Sequence, residues 1–107
     1  MPRDGLATLG RFSEPALLIL VSLADSPKHG YAMVADIFAL TGERLGPGTL
    51  YGAIARLERL GLIAPLPAED RRRPYELTQG GASVLQTELV ALSRVSAAGL
   101  QRLGVTA

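Results

Sequence analysis

The sequence predicts a mainly α-helical fold with one small β-hairpin: a winged helix-turn-helix extended by a long C-terminal dimerisation helix. Three observations carry this expectation. Apolar residues recur at helical spacing in three successive segments before Gly61, two short extended stretches separated by a turn-rich segment follow, and a near-heptad leucine pattern occupies residues 79 to 103. With 107 residues, 48% of them hydrophobic, and a mean hydropathy of +0.24, the chain has room for one compact domain and is too apolar to remain disordered.

Residues 1–12 hold Pro2, Gly5 and Gly10 with weak periodicity and read as a flexible N-terminal arm; 13–78 form the winged-helix domain and 79–107 the dimerisation segment. Ser13 is the expected N-cap of the first helix, with Glu14 and Pro15 in its first turn and an end near Ala24. Its run ALLILVSL is apolar nearly all round, which implies burial on more than one side and places Leu17 and Leu20 against a second subunit. DSPKHG breaks the chain. The second helix is expected from His29 or Gly30 to Leu40, with Tyr31, Val34, Ile37 and Phe38 inward and Thr41-Gly42 as its stop.

Pro47 opens a third helix in which Leu50, Ile54, Leu57 and Gly61 form a core stripe widened by Ala53 and Leu60. Gly52, Ala55, Arg56 and Arg59 occupy the opposite face, and Gly61 ends the helix. LIAPL and PYEL then make a hairpin with PAEDRRR at its tip. Pro65, Pro67 and Pro74 remove ladder donors, so the hairpin is expected to be short or irregular. Thr78 can cap a last helix from about Gln79 to Leu103, whose Leu85, Leu89, Leu92, Ser96, Gly99 and Leu103 keep near-heptad spacing.

The ordered combination of HGYAMVADI in the second helix, GTLYGAIARLERLGLI in the third and YELTQGG leading into the last resembles the PadR family of bacterial transcriptional regulators. The resemblance covers roughly residues 16 to 103. It implies a homodimeric DNA-binding regulator, in particular a repressor, and a last helix that packs across a two-fold axis. Two departures stand out: the wing lacks the family's usual glycine, and Thr78-Gln79-Gly80-Gly81 replaces a glutamate-containing start, leaving no capping box. That helix start is expected to fray.

The residues support a duplex-DNA partner independently. Net charge is only +1, but six arginines (44, 56, 59, 71, 72 and 73) face three acids (Glu58, Glu69 and Asp70) between positions 44 and 73. A helix anchored by Leu50, Ile54 and Leu57 can present its other face to the major groove, where Gly52 and Ala55 allow close approach. Arg56 and Arg59 then reach guanine edges or phosphates, and Thr49 and Tyr51 near the helix start donate hydroxyls to phosphates. The alternatives are pairing with Glu58 or plain solvation for the arginines, and packing for Tyr51. Arg71, Arg72 and Arg73 suit the neighbouring minor groove or backbone, with Glu69 and Asp70 as competing neighbours. His29, the only histidine, is read as a helix-start partner, with a phosphate contact as the alternative.

The last helix is too apolar along one edge to stand alone in water. Leu85, Leu89, Leu92, Ser96 and Leu103 are therefore expected in a homodimer seam, together with Leu17 and Leu20; the alternative is that this helix folds back on its own domain. No catalytic residue, metal site or cofactor is expected. Zero cysteines and one histidine exclude thiolate or clustered ligands, and Glu69 and Asp70 read as surface charge. No apolar run reaches the roughly 18 residues of a membrane span, and MPRDGLATLG carries no apolar signal core, so a cytoplasmic protein without membrane partners is expected. Family members often respond to phenolic or other hydrophobic compounds, which makes a small hydrophobic effector part of the resemblance. Zero Trp and five Phe and Tyr nominate no aromatic cage for one. Two rival classes are a winged helix that binds protein instead of DNA and a ligand sensor without an operator.

Overall fold

The computed structural model describes residues 14–105. Ser13 and the arm 1–12 therefore lie outside the described residues. Helix α1 is Pro15–Leu23, with Pro15 in the first turn, where a missing N–H costs nothing, and Glu14 at the N-cap without a side-chain bond. Leu18, Ile19, Leu20, Leu23 and Ser22 are all buried, so the apolar circumference is real. Its cause differs from the expectation. Helices α2 (Gly30–Thr41), α3 (Pro47–Arg59) and α4 (Gln79–Arg102), with strand β3 (Pro74–Leu77), surround α1 within one chain. Leu20, expected against a second subunit, is 4% exposed inside this core, and Leu17 packs at its edge.

Helix α2 starts with His29 as its N-cap, the imidazole Nδ1 accepting from the Ala32 N–H at 3.4 Å, and stops at Gly42 in the left-handed conformation with φ 78°. Gly30, Met33 and Ile37 are buried and Val34 packs at their edge, whereas Tyr31 is 76% exposed and Phe38 43%. The inward stripe is thus rotated from the expected one, because a second i, i+3, i+4, i+7 series (30, 33, 34, 37) runs beside the Tyr31 series and closes more tightly on α1 and α3. Phe38 instead carries the Arg44 guanidinium 4.6 Å above its ring. At the α1–α2 corner the buried Ser22 hydroxyl donates to Asp36 Oδ2 at 2.7 Å. Nearby, Lys28 Nζ meets Asp25 Oδ1 at 2.7 Å and holds that carboxyl below its usual range by hydrogen bond and charge.

Helix α3 buries Leu50, Ala53, Ile54 and Leu57 as its pattern requires. Leu60 does not join them: it follows the last helical turn and is 64% exposed. Gly61, at φ 76°, turns the chain into β2 (Ile63–Pro65).

The hairpin is part of a three-stranded antiparallel sheet of order β1-β3-β2, in which the two-residue β1 (Lys28–His29) was not expected. Lys28 pairs with Tyr75 and His29 with Pro74, while Pro65 pairs with Tyr75 on the other side. Pro74 is the first residue of the central strand and Pro65 the last of an edge strand, the positions where a missing donor is tolerated. The wing is short, as expected, yet its tip is a tight turn. Glu69 and Arg72 exchange two backbone bonds of 2.7 and 2.8 Å around Asp70 (φ 48°) and Arg71 (φ 68°), the signature of a type I′ turn. Neither residue is glycine, so the turn stores strain of about 1 kcal/mol or more. Replacing Asp70-Arg71 by Asn-Gly should therefore raise the melting midpoint by a few degrees in a thermal scan.

Helix α4 starts on a side-chain cap in place of the missing capping box. Thr78 Oγ1 accepts from the Gly81 N–H at 3.0 Å and donates to the Gly61 carbonyl at 2.7 Å, tying the start of α4 to the turn that follows α3. Gly81 and Leu85 are buried, Leu85 at 4% exposure within the chain's own core rather than free for a second subunit. Beyond Leu85, side chains are half-buried at most, with Leu89 at 42% and Leu103 at 79% exposed. The described residues extend over 50 × 28 × 20 Å, and α4, about 36 Å long by its 24 residues, projects as an arm. No helix among the described residues is long and apolar enough to cross a membrane.

Candidate nucleic-acid interface

Burial of Leu50, Ile54 and Leu57 turns the opposite side of α3 outward, and Gly48, Gly52, Ala55 and Arg59 are exposed there. Gly52 has open space where a Cβ would stand, so that face is flat. Arg59 and Arg71 carry no hydrogen bond or ion pair among the described residues. Their full donor sets are available to an acceptor from outside.

The flanks of α3 differ. Thr49 and Arg56 lie toward α1, where Arg56 Nη2 stands 3.9 Å from Glu14 Oε1 with both side chains about half exposed. Glu14, then, is the partner of Arg56, not Glu58. A pair so long and so wet is worth under about 1 kcal/mol and exchanges readily for another anion. On the other flank Tyr51 reaches the start of α2. Its hydroxyl lies so near Gly30 that a Cβ there would come within 2.6 Å of it, which explains the glycine after the capping histidine.

Around that contact the fold brings together residues that are far apart in the sequence. His29, Gly30, Tyr31, Tyr51, Arg71, Arg72, Arg73 and Tyr75 line an open cleft of about 340 Å³. Strand β1 accounts for the convergence, since its pairing with β3 holds the wing beside the start of α2. Within the cleft Arg73 Nη1 donates back to the Leu66 carbonyl at 2.7 Å, bracing the wing. Arg72 Nη1 lies 3.4 Å from His29 Nε2, and the His29 and Tyr31 rings stand 6.5 Å apart. Of the three wing arginines expected to act alike, Arg71 alone is unengaged.

The sequence places Tyr51 and the wing arginines on this face and His29 at the helix start, with a phosphate contact as its alternative. It did not bring Gly30, Tyr31 or Tyr75 to them, because only the β1–β3 register makes them neighbours. The apolar edge of α4 lies apart from this face. Leu17, Leu60, Leu62, Val84 and Leu92 line a recess of about 310 Å³ between α1, α3 and α4, and Leu77, Leu85, Leu89 and Val90 line one of about 410 Å³ on the other side of α4. Among the described residues no group of three or more His, Asp or Glu is placed to hold a metal ion.

Comparison with known proteins finds relatives of the chain and of its fold. A 37.1 kDa uncharacterized protein of a Streptomyces fradiae transposon is 46% identical over 86 residues, which are 80% of this chain and 25% of that protein. The chain thus spans a quarter of the length of this curated relative. Among solved structures, a PadR family transcription regulator from Clostridium difficile superposes with a TM-score of 0.73 at 25% identity, over 85% of this chain and 99% of that one. A transcriptional regulator from Clostridium thermocellum gives 0.71 at 25% identity, over 81% and 89%. A PadR-like transcription factor from Bacteroides fragilis shares the fold with 0.74 at 20% identity, over 92% and 98%. The sequence profile of the transcriptional regulator PadR-like family matches residues 19–87, from the middle of α1 into α4, and on that match the chain belongs to the PadR-like family of transcriptional regulators.

Proposed function

We propose that the chain regulates transcription as a homodimer, binding a pseudo-palindromic operator in duplex DNA and repressing the adjoining gene. The observation that carries the reading is the convergence of the outward face of α3 with the cleft of Tyr51, His29 and the wing arginines on one side of the molecule. A helix face kept flat by Gly52 and Ala55 suits the floor of the major groove, and a basic hairpin beside it suits the adjoining backbone. Arg59 is the base-reading candidate, with Thr49, Tyr51 and Arg56 toward phosphates. The α4 arm supplies the second half. Its uncovered apolar edge favours pairing of two copies, which links two half-sites. Repression follows from the family resemblance, and a small hydrophobic effector would find apolar walls in the recess between α1, α3 and α4.

The test uses an operator recovered by selection from a randomised duplex pool. Arg59→Ala should weaken binding to it by about 1 to 3 kcal/mol if its guanidinium reads a guanine, and Arg56→Ala should weaken it less, with unchanged circular dichroism in both. Wild-type affinity in both folded variants would remove α3 as the reading helix, and failure of the pool to yield any bound duplex would remove DNA as the partner.

A further inference from the structure

His29 has two ring nitrogens and one of them is already committed. Nδ1 accepts the Ala32 N–H at the start of α2, so in the neutral ring the proton sits on Nε2. The guanidinium of Arg72 lies 3.4 Å from that same Nε2. Arginine can only donate, and so can a protonated Nε2; the two groups point hydrogens at one spot without an acceptor between them. The nearby acids do not fill it. Glu69 and Asp70 border the adjoining recess with Arg72, yet neither forms an ion pair with Arg72 among the described residues. The arrangement is held in place by the β1–β3 pairing of His29 with Pro74 and by the turn at Asp70-Arg71.

We propose that His29 Nε2–H and the Arg72 guanidinium together seat one non-bridging phosphate oxygen of a nucleic-acid backbone; this deepens and rests on the duplex-DNA reading above. A phosphate oxygen supplies the missing acceptor, accepts from both donors at once and neutralises the arginine. The seat lies in the cleft beside Tyr51, so a phosphate held there sits next to the outward face of α3 and sets its register on the duplex. His29 thus has two jobs on two nitrogens. It caps α2 with one and positions the backbone with the other.

Because His29 is the only histidine, its imidazole resonances are unambiguous in a spectrum of the full chain. Adding a mixed-sequence duplex should shift the Nε2–H resonance and slow its exchange with water, and Arg72→Gln should remove most of that change. His29→Asn keeps a capping oxygen for α2 but loses the far donor. It and Arg72→Gln should each weaken binding to the duplex by roughly fivefold to tenfold, and the double variant should be little weaker than either, since both lose the same acceptor. Only Arg72→Gln should flatten the dependence on salt. Imidazole resonances unmoved by bound duplex, additive losses, or a His29→Asn variant that binds like the wild type would each overturn the seat while leaving DNA binding intact. If inorganic phosphate alone produces the full imidazole shift, the site serves free phosphate and the backbone assignment falls. A wild-type chain that binds no duplex overturns the underlying reading instead.

Discussion

Replacing Gly81 by alanine is expected to cost about 2 to 4 kcal/mol of folding free energy, the largest loss from adding one methyl group among the described glycines. Gly81 sits in the first turn of α4 against Leu62, just before β2, and a Cβ there would overlap the backbone carbonyl oxygen of Leu62, with Leu77 Cδ1 at 2.9 Å on the other side. Backbone cannot swing aside as a side chain can. The whole helix would have to back away from Leu62, opening the Thr78 bonds to Gly61 and Gly81 and loosening Leu85 in the core. A domain of this size should lose more than 10 °C in melting midpoint. Gly80→Ala is the matched control: its nearest neighbours stand at 3.8 and 3.9 Å, and alanine's better helix propensity should leave stability unchanged or slightly raised. Equal midpoints for the two variants would mean that the contact of Gly81 with Leu62 is not tight in solution.

Leu89→Glu is expected to separate the proposed dimer, at a cost of several kcal/mol in association, without unfolding the protomer. Within the chain Leu89 is 42% exposed and lines an apolar recess with Leu77, Leu85 and Val90, so a lone chain can hydrate a carboxylate there. Across a subunit seam the same charge would be buried without a partner. Sedimentation at micromolar concentration should give the monomer for the variant and the dimer for the wild type. Operator affinity should collapse with it, since two half-sites about 10 base pairs apart, or a multiple of that, gain from linkage only while the arms stay joined. A variant that remains dimeric with unchanged affinity would move the seam elsewhere. Leu20, placed in the seam by an all-round apolar run, and Leu85, placed there by its spacing, serve the protomer's core, which leaves Leu17, Leu89, Leu92, Ser96 and Leu103 as the available members.

What the sequence makes legible here depends on how local the cause is. Helix α3 was readable because Pro47 and Gly61 punctuate it and one stripe dominates. In α2 two stripes are offset by one residue and share Val34 and Ile37, and the one chosen brings Gly30 against the Tyr51 hydroxyl, a contact across 21 positions that no window of sequence contains. Strand β1 is two residues without a pattern and exists only because β3 lies beside it. The wing arginines were visible as a charge run, but the engagement of Arg72 with His29 and of Arg73 with Leu66 required the hairpin to close first. The turn at Asp70-Arg71 lacks the glycine that would have announced it.

The stitching of the wing to the start of α2 by β1 has a thermodynamic consequence. A wing that dangles must be ordered by its ligand, and that ordering enters the binding reaction as lost entropy and a slow, compliant encounter. Here Lys28 and His29 fasten the hairpin at the tip-side end of β3 and Arg73 clasps it from within, so the cost of order is met when the chain folds. Recognition by this head should then resemble the meeting of two rigid bodies, with a heat-capacity change no larger than the surface it covers and little tolerance for a partner whose grooves are spaced differently.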